Sequence, residues 1–533
     1  MTELDAAEKV ADGDTVRDTV VSPTSTSSPD APRWRCVASS ADLRAVASAR
    51  VRFTCVDATP ALVVLGANTG SAYIFSRTRG PTDARGSSRS APERRLRFVA
   101  VVSPELLGRG TGDRARAAPQ SVRVIKASPC GRMCAIGFAD GNVRVIELDE
   151  VTRDETRRRS AMGATVAFLS TSHGGRPITA MVWSVNSKTL YAGSDKGRVT
   201  LVSCEEFVRW CDEGRMGPKP AVVNKTEYTD ADSGVHQLDS SKSDSNLLMS
   251  AQSSVKLVPV DGENCGVVTN VGSKQREGAY GSCFHDYAAL SIDEDQLVDE
   301  EDVWDDNAVK RIIEYAVVAR PGRKFWIAKF DNYEEEAQVE IMATIKPEVP
   351  EPSPVPGWNR ENESVESMKK LSKRFEFGLM RRLGPCVLST TDRSVAVVDV
   401  ASPAIARWYP LREPGNDDIG AGFVDVCVFD HRAFFLTPSE EGGGSIWCLE
   451  SFIDAPSLAR DVVHESRDVS SMIRALQICQ KTSTFDETLF NKAKETLESS
   501  EGADKGSMQT LASLIEWGEQ NGTALMVEER DED

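Results

Sequence analysis

The residues able to do acid–base, nucleophilic or metal chemistry are few in this chain and stand far apart. Five histidines, His173, His236, His285, His431 and His464, share no spacing with Asp, Glu or Cys partners. A general acid–base pair, or a nucleophile with its base, needs groups that converge, and no such set is written into adjacent residues. Cys130 and Cys134 come nearest to a metal-ligand pair. Cys134 falls in an apolar strand pattern, however, and no second His/Cys pair follows to complete a tetrahedral zinc site. Gly108-Arg109-Gly110-Thr111-Gly112 is a fragment of a phosphate loop without the Gly-Lys-Ser/Thr ending or a following helix pattern, so it reads as a flexible insertion. Carboxylates are dense between Ser291 and Asn307, from Asp293-Glu294-Asp295 to Asp305-Asp306, where nothing apolar would raise a pKa for acid catalysis. That run reads as a solvated, self-repelling loop, with a contact for a basic partner as the alternative. The expectation is a protein that is not an enzyme, with no catalytic residue, no cofactor-binding residue and no metal site.

The elements that would have to position such groups are legible as a repeat. Ala61–Ile74, Arg132–Val145 and Lys188–Leu201 each carry an apolar run, a small-residue turn and an alternating run. Gly70, Gly141 and Gly197 supply the positive φ that a tight hairpin requires, and Asn68, Asp140 and Asp195 are able to bond nearby backbone. Each copy is a β-hairpin that cannot bury both sheet faces alone and must stack on the next. Weaker copies follow at Asn246–Val260 and Gly384–Asp399, with serines such as Ser389 at the glycine places, and Ala279–Asp331 and Phe423–Leu449 supply two more strand groups. Seven groups begin near Arg33, Ser121, Ile178, Gly234, Ala279, Arg374 and Ile419. The fold class expected is all-β, a seven-bladed WD-repeat-like β-propeller, closed because an open end would expose an unpaired strand edge. His173, just ahead of the Ile178–Trp183 strand, is expected to hydrogen-bond within a blade.

Outside the ring, residues 1–32 are polar and aperiodic and are expected to be a disordered tail. Residues 33–452 form the propeller, interrupted by loops at Thr78–Glu93, Arg109–Gln120, Lys219–Asp244 and Pro347–Ser367. Residues 453–533 are a short helical segment with an acidic tail, Glu528–Asp533. Val469, Met472, Ile473, Leu476 and Cys479 fall at helical spacing, as do Phe485, Leu489, Ala493 and Leu497, and Met508, Leu511, Ala512 and Ile515. Three short amphipathic helices are expected, the last two parted near Gly502 and Gly506, to cap the ring or begin a solenoid.

Composition narrows the partners. The chain has 533 residues, 40% hydrophobic, and a formal charge of −18. A nucleic-acid binder needs a basic face to release counterions, so no nucleic acid is expected. No run approaches the ~20 apolar residues that span a bilayer, and the N-terminus has no apolar signal core. The expected location is cytoplasmic, where the twelve cysteines stay reduced and the sequons at Asn224, Asn362 and Asn521 go unmodified.

Two segments then carry a more specific likeness. Gly272–Phe284, with Arg276, Gly278, Tyr280, Gly281, Cys283 and Phe284, resembles a segment of the Hermansky-Pudlak syndrome 5 protein family. Ala319–Asp331, with Arg320, Pro321, Gly322, Trp326 and Phe330, is similar to the segment that follows in that family. Arg52–Cys55 and Ser172–Trp183 resemble its early blades, and Ala475–Gln480 and Phe490–Trp517 its helices. The Arg-rich, acidic and Pro/Glu-rich insertions have no counterpart, and the family's long C-terminal region is missing. The resemblance implies a non-enzymatic scaffold in the complex for biogenesis of lysosome-related organelles, type 2, acting in endosomal traffic. Its partners would be the other subunits of a trafficking complex, and its location would allow peripheral association with endosomal membranes. It also implies structural roles for the segments: Gly278 and Gly281 in turns, Tyr280 and Phe284 in packing, Pro321-Gly322 in a hairpin. A related propeller occurs in tectonin β-propeller repeat proteins, which leaves an autophagy-linked adaptor as one alternative. A propeller enzyme with a site at the channel mouth is the other.

Overall fold

The computed structural model describes residues 33–77, 95–102, 120–148, 166–170, 173–213, 223–229, 233–261, 264–265, 268–272, 277–286, 312–333, 336–347, 376–384, 386–391, 394–400, 406–410, 423–429, 432–438, 444–450, 469–481, 487–499 and 505–531. The expected tail at 1–32, the acidic run, the phosphate-loop fragment, His431, His464, Phe485, Gly502 and, save an end residue, the insertions Arg109–Gln120 and Pro347–Ser367, with all of Thr78–Glu93, fall outside these residues.

Seven antiparallel sheets make the ring, each wound outward from an inner strand. Blade 1 is β2 (Phe53–Ala58), β3 (Leu62–Ala67), β4 (Ala72–Ser76) and β5 (Arg97–Val102). Blade 2 is β6 (Val122–Ala127), β7 (Met133–Phe138), β8 (Val143–Glu147) and β9 (Val166–Ser170). Blade 3 is β10 (Ile178–Trp183), β11 (Thr189–Ser194), β12 (Arg198–Ser203) and β13 (Val223–Thr229). Blade 4 is β14 (Val235–Ser240), β15 (Asn246–Ala251) and β16 (Val255–Asp261), edged by β17 (Asn264–Cys265) and β18 (Thr269–Asn270). Blade 5 is β19 (Ser282–Phe284), β20 (Ile312–Arg320), β21 (Lys324–Tyr333) and β22 (Glu336–Ile345). Blade 6 is β23 (Leu379–Leu383), β24 (Cys386–Thr391), β25 (Ser394–Asp399) and β26 (Ala406–Pro410). Blade 7 is β27 (Asp425–Phe429), β28 (Arg432–Thr437) and β29 (Ser445–Glu450), completed by β1 (Arg33–Ala38) from the start of the chain.

That last pairing corrects the expected blade boundaries. Arg33–Ala38 does not open the first blade. It pairs antiparallel with β29, from Arg33 opposite Glu450 to Ala38 opposite Ile446. Without it β29 would be an unpaired edge, and a strand from the other end of the chain closes the ring. The region Lys219–Asp244, expected to be loop, contains β13 and β14. β13 is an outer strand paired only with β12, so its ladder forms through backbone and its polar sequence gives no apolar alternation to read.

The repeated hairpins are present, and their turn glycines have φ of 81° at Gly70, 80° at Gly141 and 78° at Gly197. The other glycine of each repeat does different work. Gly66, Gly137 and Gly193 lie on the second strand of their blades against the inner strand of the next. A Cβ would fall 2.5 Å from Val122 Cγ1, 2.7 Å from Ile178 Cγ2 and 3.0 Å from Val235 Cγ1, respectively. At the same place in blade 4 stands Ser250, whose hydroxyl meets that of Ser282, 2.5 Å away on β19.

Seven apolar clusters fill the seven seams between blades. The core is therefore a ring, as stacking of half-buried sheets requires. Two helices not anticipated from the sequence interrupt it. α1 (Ser40–Val46) is capped by Ser39 and Asp42, each side chain accepting the other's backbone N–H, and buries Leu43 at the seam between blades 7 and 1. α2 (Glu205–Asp212) buries Phe207 beside blades 2 and 3.

Beyond the ring come α3 (Val469–Lys481), α4 (Glu487–Ser499) and α5 (Lys505–Asp531). Met472, Ile473, Leu476, Cys479, Leu489, Phe490, Leu511 and Ile515 join the cluster between blades 6 and 7, with Leu388, Val397, Val426 and Phe435. The helices thus cap that seam. The third is not short: it runs 27 residues, carries Gly506 and Gly518 within it, and takes in Glu528–Asp531 of the expected tail. Ala512 faces solvent and Leu514 is the buried neighbour. Gly518 is tolerated inside the helix because Phe490 packs against it, where a Cβ would lie 1.9 Å from Cε1.

Candidate functional site: the channel wall and the blade 5 junction

The inner strands β2, β6, β10, β14, β19, β23 and β27 form the inner wall of the ring, and several carry charged or amide side chains among apolar ones. Three carboxylates each reach the inner strand of the following blade. Asp425 of blade 7 accepts the Val56 N–H of blade 1 at 2.9 Å. Asp57 of blade 1 accepts the Ala127 N–H of blade 2 at 2.7 Å and pairs with Lys126 Nζ at 2.9 Å. Asp239 of blade 4 accepts the Phe284 N–H of blade 5 at 2.7 Å. Charge-assisted bonds of this kind are among the stronger ones available to a buried carboxylate.

Burial and neighbours set the protonation of this wall. Burial pulls the Lys126 ammonium down, but Asp57 beside it, together with Cys427 and Asp425, more than offsets that, so its pKa is raised. Burial pushes the Asp425 carboxyl up against the opposing pull of Lys126 and two backbone N–H groups. Burial raises Asp239 to about 6, countered in part by the Phe284 N–H, Arg381 and Arg382. The thiols nearby, Cys55, Cys134, Cys283 and Cys427, are all pushed well above the ordinary value, chiefly by burial. A thiolate nucleophile is therefore not supplied at this wall. Among the described residues no group of three or more His, Cys, Asp or Glu is placed to hold a metal ion.

Blade 5 is built differently from the rest. Its inner strand is three residues long, and Gln237 of blade 4 spans it. The Gln237 Nε2 donates to the Ser282 carbonyl at 2.7 Å and to the Met380 carbonyl of blade 6, and its Oε1 accepts the Met380 N–H at 3.0 Å. Asp286, just past β19, repeats the pattern by pairing with Lys242 of blade 4 and with Arg382 of blade 6 at 3.1 Å. Gly281 makes this possible. A Cβ there would fall 2.1 Å from Gln237 Oε1 and 2.4 Å from Met380 N. Its φ is not positive, so the expected turn role is corrected: Gly281 is glycine because backbone and side chain from two other blades pass against it.

The other residues of the two resemblance segments converge on the same junction. Gly278, at φ 134°, lies against the Tyr280 ring, and the Tyr280 hydroxyl donates to Glu376 at 2.8 Å. Phe284 meets Phe330 edge-on at 5.7 Å. Gly322, at φ 85°, turns β20 into β21. The Arg320 guanidinium stacks 4.0 Å over Trp326, and Gly272 lies against the same indole. These are packing and turn roles.

The three described histidines sit on different blades. His173 is buried and its Nε2 shares a hydrogen with Thr200 Oγ1 of its own blade at 2.9 Å, as expected for a bond within a blade. Burial, with a further contribution from Arg198, lowers its pKa to about 4. His236 is on β14, and His285 follows β19, with its Nε2 3.2 Å from the Cys386 carbonyl of blade 6. Cys130 is exposed in the β6–β7 turn while Cys134 is buried in β7, so the two point to different environments. Sequence reasoning missed Asp57, Lys126, Gln237, Asp239 and Asp425. The signal available was a charged or amide residue beside apolar ones in an inner strand.

A closed seven-bladed ring, its wall held by charges and amides that cross from blade to blade, with a helical cap on one seam, defines a β-propeller with an α-helical appendage. Sequence comparison places this chain near one group of such proteins. It is 22% identical over 383 residues to the BLOC-2 complex member HPS5 homolog of Aedes aegypti, covering 67% of this chain and 38% of that protein. It is 22% identical over 306 residues to human BLOC-2 complex member HPS5, covering 57% and 22%, and 19% identical over 362 residues to the Drosophila melanogaster homolog, covering 67% and 35%. The chain is thus HPS5-like at low identity over more than half its length, and spans well under half the length of the curated relatives it matches. No family model matches it.

Proposed function

We propose that this protein is a non-enzymatic interaction platform, a subunit of a complex of the BLOC-2 kind that serves endosomal traffic and the biogenesis of lysosome-related organelles. The observation that carries the reading is the similarity to three proteins named as members of that complex. The channel wall supports it. Asp57, Asp239 and Asp425 are each engaged by the backbone of the next blade, an arrangement that spends carboxylates on closing a ring. The reading places the protein in the cytoplasm, peripheral to endosomal membranes, with other protein subunits as partners. Among the described residues no helix is long and apolar enough to cross a membrane. Affinity purification at near-native expression tests it: trafficking subunits are expected with the bait, and recovery of none would sink the reading.

One observation favours a second reading. Asp239, raised to about 6 by burial on the inner strand of blade 4, has the proton affinity of a general acid. A propeller enzyme built on it would also need a nucleophile or an activated water beside that carboxyl.

A further inference from the structure

Charge is distributed unevenly along this chain. Residues 33–127, which supply β1, α1, blade 1 and the inner strand of blade 2, hold seventeen lysines and arginines against six aspartates and glutamates, although the whole chain carries −18. The fold consumes part of this positive charge. Arg77 is buried with its guanidinium over the Phe429 and Phe434 rings, and Lys126 is paired with Asp57 in the channel wall. Arg44, Arg50, Arg52, Arg95, Arg97 and Arg123 are all exposed.

Tertiary contacts gather these six. α1 joins β1 to β2 and carries Arg44 at the seam between blades 7 and 1. The Leu96 N–H meets the Val37 carbonyl at 2.9 Å, which brings Arg95 and Arg97 beside the start of α1, and Arg95 lies within electrostatic reach of Asp42. Arg50 and Arg52 follow α1 and are fastened by Asn68 of the β3–β4 turn. Its Oδ1 accepts the Arg52 N–H at 2.8 Å and its Nδ2 donates to the Arg50 carbonyl at 3.3 Å. Arg52 precedes β2 and Arg123 is the second residue of β6; the Thr54 hydroxyl joins these two inner strands by donating to the Val122 carbonyl at 2.7 Å.

Carboxylates do not balance this surface. Among the described residues of 33–127 the one exposed carboxylate is Asp42, and the backbone N–H and hydroxyl of Ser39 hold it at 2.9 and 2.7 Å. Asp140, in the neighbouring turn of blade 2, takes the backbone and side-chain N–H groups of Asn142. Among the described residues no carboxylate pairs with Arg50, Arg52, Arg97 or Arg123. Like charges gathered without counter-charges repel one another, and an anionic partner relieves that repulsion. The arginines come from a helix, a loop and strands of two blades, and no aromatic residue occurs in 36–52, 95–97 or 121–123 to stack a base. A broad array that asks only for negative charge fits lipid headgroups, to which each basic side chain adds attraction.

We propose that this surface is where the ring meets an anionic membrane, its guanidinium groups lying on the phosphates and carboxylates of lipid headgroups. The proposal rests on the reading of a platform peripheral to endosomal membranes and gives that platform its membrane face. The full chain is sedimented with vesicles of phosphatidylcholine alone and of phosphatidylcholine mixed with phosphatidylserine. Pelleting is expected with the mixed vesicles alone and should fade as added salt screens the charges. Arg50→Glu combined with Arg52→Glu is expected to weaken vesicle binding by at least about tenfold. Asn68 bonds the backbone of both residues, so this variant folds as the parent does, which an unchanged unfolding midpoint verifies. Arg44→Glu combined with Arg97→Glu gives an independent second reading with the same expected loss. Lys242→Glu, an exposed charge reversal on blade 4, is expected to leave binding unchanged. Equal pelleting with both vesicles, undiminished binding by both double variants, or an equal loss in Lys242→Glu overturns the proposal. Tighter binding of duplex DNA than of vesicles, lost in the double variants, overturns it in favour of nucleic acid. Loss of recovered subunits in those variants with vesicle binding unchanged overturns it in favour of an acidic protein. Subunits recovered by a parent that binds no vesicle remove this face and leave the platform standing. Vesicle binding without any recovered subunit supports the face and removes the complex.

Discussion

Each repeat carries two glycines with unrelated tasks. Gly141 turns the chain, whereas Gly137 makes room for Ile178 of the next blade. Gly137→Ala should therefore cost about 1–3 kcal/mol by overpacking, and should cost less when made in an Ile178→Ala background, which removes the Cγ2 it meets, as read by urea unfolding. Gly281→Ala should cost more, because the atom it meets at 2.4 Å is the Met380 backbone nitrogen, which cannot rotate away. The turn glycines were legible in the sequence because a hairpin is local. The packing glycines were not, because their neighbours come from the next blade. Two buried groups also make stability depend on pH in opposite senses. His173 is lowered from 6.5 to about 4, so the unfolded chain takes the proton first as pH falls. Its contribution is intact above about pH 6.5 and drains between there and pH 4. Asp239 is raised from 3.8 to about 6, so the folded chain holds the extra proton and stability falls as pH rises through that window. Asp239→Asn, which still accepts the Phe284 N–H, should abolish that fall. Unfolding midpoints measured from pH 4 to 8 in parent and variant decide it, and identical profiles would remove Asp239 as the cause.

At the scale of elements, ring closure depends on six residues. Deleting Arg33–Ala38 leaves β29 paired on one side alone, and the expected result is early loss of blade 7 with aggregation through the exposed edge. Hydrogen exchange should show protection lost first in Asp425–Glu450; unchanged protection there would argue that closure lies elsewhere. The helices were legible from their 3.6-residue period, and the seam they cover was not. Phe490→Ala removes a ring packed on Gly518 and tilted against Trp517 at 6.2 Å, and should cost about 3–5 kcal/mol. The polar strand β13 escaped sequence reading for the opposite reason to the packing glycines. An outer strand needs only one neighbour's ladder and carries no apolar alternation to betray it.

For the whole molecule, the seven seams form a circle and the helices share one of them, so ring and cap are expected to unfold together. Variants keeping Trp183 alone, in the seam between blades 2 and 3, or Trp517 alone, against the cap, should report coincident denaturant transitions. An earlier transition at Trp517 would show that the cap is held independently. The sequence by itself determined the all-β class, the blade number, the hairpins and the helical end, because turn chemistry and periodicity act over a few residues. It also carried a resemblance to the HPS5 group in Gly272–Phe284 and Ala319–Asp331, segments whose described residues lie at the blade 5 junction. Only the tertiary structure decided that Arg33–Ala38 belongs to blade 7, that Gln237 crosses blade 5 to reach Met380, and that Ser187 and Asp244 link neighbouring blades. Each of these joins residues distant in the chain. Their partners are chosen by closure of a ring, a condition that no local stretch of sequence contains.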